Sequence, residues 1–237
     1  HRAGLDRNSC ITALGGGVLC DVVAFAASVY LRGVRLVLIP TTLVAMVDAA
    51  LGGKTGVDYE SRKNLIGSFF PAEEVLIWPG AITTLPPRQI AAGMAEVVKT
   101  ALIGDSNLLE LLERDGVASV TGDSELTCSV IRRCLQVKGD IVAEDPDERT
   151  GVRDVLNLGH TFAHALEAVT GFGPWNHGEA VAWGMARAMD LGFQLGETPL
   201  EYRLRVLTLL EALGFRLQVG ADISTQELLG AMAADKK

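Results

Sequence analysis

Residues 156–167, LNLGHTFAHALE, place His160 and His164 four apart in an apolar stretch that reads as a helix. Side chains at that spacing lie one above the other on a helix face. The chain has four histidines, one of them residue 1, so imidazole chemistry rests on this pair and on His177. His177 follows a turn marked by Gly173, Pro174 and Asn176 and opens the next helical pattern. Glu96 and Lys99 are three apart in GMAEVVKTAL, where Ala95, Val97, Val98 and Ala101 make the helix apolar nearly all round. A carboxylate there is expected to be buried, and therefore salt-bridged or metal-bound. Two histidines from one helix, or one from each, together with Glu96 would supply the three N/O ligands of a Zn²⁺ site that keeps positions open for substrate. The competing reading is ordinary core packing, and residue chemistry alone does not say which of His160 and His164 would ligate.

Anion binding is the second chemistry the residues suggest. Residues 47–70, VDAALGGKTGVDYESRKNLIGSFF, set Asp48, Lys54, Lys63 and Asn64 among glycines. The GGKT run lacks the first glycine of a G-x-x-x-x-G-K loop, which excludes a nucleotide-hydrolysing P-loop. A flexible loop that lets Lys54 and Lys63 reach an anion is the expectation, beside the plainer one of a solvated loop. Upstream, ITALGGGV (11–18) puts a short apolar run before Gly15, Gly16 and Gly17, and an apolar helix-like stretch follows over 21–31. Strand, glycine turn and helix in that order can cradle phosphate on backbone N–H groups, although the GxGxxG spacing is missing.

These residues need elements to position them. VRLVLIP (34–40) has the aliphatic character of a buried parallel strand, and VLIWPG (75–80) is read as another. From residue 86 onward six segments carry apolar residues at helical spacing, most of them ending at Gly or Asp. The fold class is therefore α/β, with a Rossmann-like unit over 1–82 followed by an all-helical unit over 83–237. At 237 residues and 49% hydrophobic content the chain can bury a substantial core. A net charge of −8 argues against a nucleic-acid surface, which needs clustered Lys and Arg. It does not exclude a small anion held by a few cations in a cleft. Cys10, Cys20, Cys128 and Cys134 show neither a CxxC pair nor a disulfide framework, so free thiols in a reducing cytoplasm are expected. The longest apolar runs are broken by Asp, Arg or Pro before they could span a bilayer.

GGGVLCDVVAFAASVYLRG, PTTLVAMVDAALGGKTGVDYESRKNLIGSFF, LPPRQIAAGMAEVVKTALI and GVRDVLNLGHTFAHALEAVTGFGPWNHGEAVAWGM resemble, in the same order, the signature blocks of the 3-dehydroquinate synthase family. The resemblance covers most of residues 14–190. It implies a lyase dependent on NAD and on zinc or another divalent cation such as cobalt. The reaction converts 3-deoxy-D-arabino-heptulosonate 7-phosphate to 3-dehydroquinate and phosphate in the shikimate pathway, through transient oxidation by NAD, β-elimination, re-reduction and intramolecular aldol closure. It also implies a cytoplasmic homodimer acting on a small phosphorylated sugar acid.

By the same resemblance Glu96, His160 and His177 match metal ligands, while His164 matches a pocket histidine used in proton transfer and phosphate contact. Lys54, Lys63, Asn64, Lys99, Lys138, Arg153 and Asn157 match residues lining the substrate site, and Arg32 matches an arginine supplied across the dimer interface. Gly16, Gly17, Asp21, Thr41, Thr42, Asp48 and Thr84 match the nicotinamide-cofactor side. Arg153, Asn157, His160 and His164 would share one helix face. Cys20 and Val23-Ala24 depart from the family's smaller residues and are expected to crowd the start of the cofactor helix. The family has further elements ahead of the glycine block and beyond the C-terminus, so the fold is expected to be truncated at both ends, with Lys236 or Lys237 matching a C-terminal active-site lysine. Related sugar-phosphate cyclases, glycerol dehydrogenase-like oxidoreductases and a non-catalytic remnant of the fold are the alternatives.

Overall fold

A computed structural model describes residues 4–60, 62–121, 124–171, 173–220 and 223–234, except for the side chains of Arg62 and Lys63. The expectations for the Lys63 side chain, Lys236 and Lys237 lie outside the described residues.

Strands β1 (Cys10–Gly15), β2 (Arg35–Pro40) and, of β5, Glu74–Val75 form a parallel sheet in the order β1-β2-β5. Helix α1 (Gly17–Val29) makes the crossover that a parallel pair requires. Its small residues Cys20, Ala24 and Ala27 are buried against Ala13, Leu36 and Leu38 of the sheet. The side chains expected to crowd the start of α1 are thus largely absorbed by the core: Cys20 and Ala24 are buried, and Val23 packs beside them. The helix starts at Gly17 rather than residue 21, so the last two of the three glycines are its cap and first residue. The strand expected over 75–80 is cut short. Only Glu74 and Val75 pair with β2, and Pro79, which has no N–H to offer a ladder, opens the tight turn Pro79–Thr84.

The flexible loop expected around Lys54 and Lys63 is instead an antiparallel hairpin of β3 (Lys54–Tyr59) and β4 (Arg62–Phe69). Gly56 and Gly67 face each other across it. A Cβ on Gly67 would stand 2.1 Å from the Thr55 carbonyl oxygen, so that glycine permits close pairing.

The helical region comprises α2 (Pro87–Gly104), α3 (Ser106–Asp115), α4 (Ala118–Thr121), α5 (Ser124–Glu144), α6 (His160–Val169), α7 (His177–Gln194), α8 (Leu200–Ala212) and α9 (Thr225–Ala234). Their apolar faces merge in one core that includes Met94, Val97, Leu108, Leu112, Leu166, Met185 and Leu210. Small residues set the spacing where helices cross near the histidines. A Cβ on Gly178 of α7 would lie 2.3 Å from Ala92 Cα on α2, and one on Gly184 would lie 2.1 Å from the Gly159 carbonyl oxygen. Backbone therefore meets backbone at both crossings.

The single helix expected over 152–171 is two pieces. Residues Val152–Asn157 form a 3₁₀ turn, Gly159 adopts φ 79°, and α6 begins at His160. Gly159 combines a left-handed backbone with no room for a side chain, since a Cβ would lie 2.5 Å from the Met185 nitrogen. Arg153 and Asn157 consequently do not share a helix face with His160 and His164. No helix among the described residues is long and apolar enough to cross a membrane.

Candidate metal and anion site

Three elements bring Glu96, His160 and His177 together. Glu96 sits in the middle of α2, fully buried, as its apolar neighbours foretell. His160 is the first residue of α6 and His177 the first of α7. The start of α7 is fixed by a capping box: Asn176 accepts from the Glu179 N–H, and the Glu179 carboxylate accepts from the Asn176 N–H. Glu96 Oε1 lies 3.3 Å from His177 Nε2 and 3.9 Å from His160 Nε2. One ligand atom from each of the three falls within 4.8 Å of the others.

The carboxylate oxygens of Glu96 are buried, and neither accepts a hydrogen bond of sound geometry from the described residues. Their nearest cation is Lys99, with Nζ 2.6 Å from Oε2. A buried acceptor left this way calls for another partner. One carboxylate and two imidazoles form a donor set suited to a divalent metal, so the residues present fit such an ion. His164 stands outside this set, its ring 5.5 Å from that of His160, centroid to centroid and edge-on.

Charge around the site is arranged in alternation. Lys99, itself buried, also reaches Asp48 Oδ2 at 3.5 Å. Lys138 Nζ donates to the Asp48 carbonyl oxygen at 2.6 Å and to its Oδ1. The sequence Lys138–Asp48–Lys99–Glu96 thus runs plus, minus, plus, minus, each charge beside an opposite one, as buried ions require. Burial alone would raise the Glu96 carboxyl, but Lys99, then His177 and His160, hold it well below the usual range. Burial likewise opposes ionisation of Asp48, and Lys138 and Lys99 outweigh it, leaving the carboxyl near 2. Burial pulls the Lys138 ammonium below its ordinary value against the attraction of Asp48. His160 drops to about 4, chiefly through burial, and is neutral at pH 7. For His177 burial works the other way from its partners. The carboxylates of Glu167 and Glu96, 3.4 and 3.3 Å from its two ring nitrogens, prevail and lift it to about 9.

A further buried cation lies near this run of charges. Arg153 is buried, donates to the Pro146 and Gly52 carbonyl oxygens at 2.9 and 3.3 Å, and stands over the Phe69 ring at 5.9 Å. It has no acidic partner among the described residues. A Cβ on Gly52, which has φ 115°, would lie 2.8 Å from Arg153 Nη2 and 3.7 Å from Lys138 Cε, so the glycine marks where the two cations converge. Lys54, at the start of the hairpin, pairs with Glu148 at 2.5 Å. Asn64 is exposed at φ 49°, its N–H donating to Asp58 Oδ1. Asn157 lines a shallow cleft with Ile103, Ile141, Asp154, Val155 and Leu158. Arg32 is exposed on the turn Tyr30–Arg32 at φ 68° and makes no hydrogen bond or ion pair with the described residues.

On the glycine-block side, Gly16 caps α1, and a Cβ there would lie 3.1 Å from Thr42 Cγ2; one on Gly17 would lie 3.3 Å from Ala49 Cβ. Thr41 N–H donates to the Gly15 carbonyl, Thr42 Oγ1 accepts from the Ala45 N–H, and Thr84 Oγ1 donates to the Ala81 carbonyl. Asp21 is raised to about 6 by burial, with Lys138 opposing and Asp48 adding to the shift. The four cysteines are unpaired, and burial pushes Cys20 to about 11 and Cys134 to about 12, so neither supplies a thiolate near neutrality.

Two acidic residues at the site do not figure among the residues singled out from the sequence. Glu148 gives no local signal. Glu167, buried with Oε1 3.4 Å from His177 Nδ1, was discoverable from its spacing of seven from His160, two helical turns along one face.

The chain matches the family model described as 3-dehydroquinate synthase N-terminal over residues 1–92 and that described as 3-dehydroquinate synthase C-terminal over residues 93–237. It is 45% identical to a 3-dehydroquinate synthase of Microcystis aeruginosa over all of its own length and 64% of that protein's. Among solved structures it is similar to a 2-epi-5-epi-valiolone synthase from Streptomyces hygroscopicus subsp. jinggangensis with NAD⁺ and Zn²⁺ bound. That likeness has 33% identity and a TM-score of 0.91 over 98% of this chain and 65% of the other. A 2-deoxy-scyllo-inosose synthase complexed with carbaglucose-6-phosphate, NAD⁺ and Co²⁺ is also similar, at 30% identity and a TM-score of 0.89 over 99% of this chain and 64% of the other. The chain thus spans about two thirds of the length of these relatives.

Proposed function

The chain belongs to the 3-dehydroquinate synthase family, and on that premise we propose that the protein containing it converts 3-deoxy-D-arabino-heptulosonate 7-phosphate to 3-dehydroquinate and phosphate. The observation that carries this reading is the convergence of two imidazoles on a buried carboxylate whose one close cation is Lys99 and which accepts no hydrogen bond of sound geometry from the described residues. Glu96, His160 and His177 would hold a divalent metal, zinc or cobalt, and residues around Gly16, Gly17, Asp21, Thr41, Thr42, Asp48 and Thr84 would hold NAD. When bound, these groups would polarise a substrate oxygen and exchange a hydride.

The chain's own residues do the rest. Arg153 and Lys138 converge on one side of Gly52 and can clamp an anionic group, and Arg153 brings a planar fork suited to carboxylate or phosphate. Lys54 adds a cation once it exchanges Glu148 for substrate; the pair is partly exposed, so the exchange costs about 1 kcal/mol or less. Lys63, Asn64 and Asn157 complete the polar lining in this reading. His164, next to the ligand set but outside it, would move a proton between substrate and solvent. Lys99 holds Glu96 ionised and oriented. Arg32, exposed and without a partner among the described residues, would reach the site of a second copy in a cytoplasmic homodimer.

The test is phosphate release from the heptulosonate phosphate by the full-length protein. Release that a chelator abolishes and zinc restores is expected; none from the metal-replete protein would overturn the reading. The likeness to two other cyclases at 33% and 30% identity supports a second reading, ring closure of a sugar phosphate without a carboxylate. Turnover of such a substrate in preference to the heptulosonate would favour it.

A further inference from the structure

The imidazole of His177 is held at both nitrogens, and only one of its partners belongs to the ligand set. Nε2 faces Glu96 at 3.3 Å, while Nδ1 faces Glu167 Oε1 at 3.4 Å. Glu167 lies on α6, seven residues beyond His160, so the helix that supplies one histidine of the set also supplies the contact behind the other. Its carboxylate is 2% exposed in an otherwise apolar helix segment. A carboxylate so placed needs a specific partner to stay ionised.

We infer that Glu167 is a positioning residue for the metal site, accepting the Nδ1 hydrogen of His177 and thereby leaving the Nε2 lone pair for the metal position shared with Glu96 and His160. A neutral imidazole carries one N–H and one lone pair, so fixing the hydrogen at Nδ1 fixes the lone pair at Nε2. The contact also sets the ring plane, which α7 alone leaves free because His177 is its first residue. Outer carboxylates of this kind orient ligating histidines and raise their basicity. The inference rests on the metal site proposed above.

The experiment uses the full-length protein, stripped of metal, with zinc affinity measured by competition against a chromophoric chelator. The wild type should bind one zinc. Glu167→Ala should weaken binding by about 10- to 100-fold, and Glu167→Gln, which keeps an acceptor oxygen, by less. The absorption spectrum of the cobalt-loaded Glu167→Ala protein should shift. Wild-type zinc affinity and cobalt spectrum in both folded variants would overturn the inference. Should the variants not fold, ¹⁵N-histidine NMR of the zinc-loaded wild type decides: Nδ1 of His177 must carry the hydrogen, and metal on Nδ1 refutes the assignment. A wild type that takes up no zinc would refute the metal reading itself, which keeps the two failures distinct.

Discussion

Gly178→Ala is the change that most directly tests how the fold builds the site. The new methyl carbon would stand 2.3 Å from Ala92 Cα and 2.5 Å from the Ala92 carbonyl oxygen, both backbone atoms in the middle of α2. No rotamer relieves such a clash. To reach ordinary contact the start of α7 must retreat from α2 by more than about 1 Å, and overpacking of this kind costs about 1–3 kcal/mol. His177 is the adjacent residue, so the retreat falls on the 3.3 Å gap between its Nε2 and Glu96. Metal sites tolerate errors of roughly 0.2 Å in ligand distance. The metal should therefore lose one ligand in three, and zinc affinity should fall by at least about tenfold while the chain stays folded with a lower Tm. Chelator competition measures the first effect and calorimetric unfolding the second. Gly230→Ala is the control: a Cβ there meets nothing within 4 Å in α9, and alanine should add up to about 1 kcal/mol. Wild-type zinc affinity in Gly178→Ala would refute the argument that backbone contact between α2 and α7 sets the ligand distances.

His164→Ala should retain stoichiometric zinc and lose most turnover; loss of the metal would instead make it a ligand. Lys138→Met removes the closest partner of Asp48 and should destabilise the protein by about 3 kcal/mol in denaturant unfolding, at the lower end for a broken buried pair because Lys99 remains. In metal-free protein His177 is raised from 6.5 to about 9, so its stabilising contribution is complete below pH 6.5 and lost as pH rises through 9. His160 is lowered to about 4, so its contribution is present above pH 6.5 and lost as pH falls through 4. Metal-free stability contributed by this pair should peak near pH 6.5, whereas zinc affinity should climb between pH 6.5 and 9 as the His177 proton becomes easier to displace. A flat zinc affinity across that window would show that no proton is exchanged.

What the sequence disclosed followed from how local each signal was. Burial of Glu96 was legible because apolar neighbours surround it within one helix. The division between His160 and His164 was not, since both lie on one face of α6 and differ only in whether they reach α2, a tertiary fact. The hairpin at 54–69 has the sequence of a loop because its glycines and lysines are poor strand formers, and cross-strand closeness at Gly67 outweighs propensity. The break before His160 had one signal, Gly159, whose left-handed backbone a helical pattern on either side conceals. That β2 belongs to a parallel sheet was legible in its aliphatic run, whereas its pairing with β1 is a tertiary fact.

The alternating charges from Lys138 to Glu96 also constrain how this protein can change over generations. Each of the four positions is tolerable only while its neighbours keep their sign, because at an effective dielectric of about 20 adjacent charges interact by about 4 kcal/mol, on the order of the whole margin of a folded domain. A lineage cannot replace Asp48 first and Lys138 later without passing through a form that buries a lone charge. Neutral drift there must proceed by paired substitutions, which are far rarer than single ones. The four positions are therefore locked together by electrostatics, whatever share each one has in the chemistry.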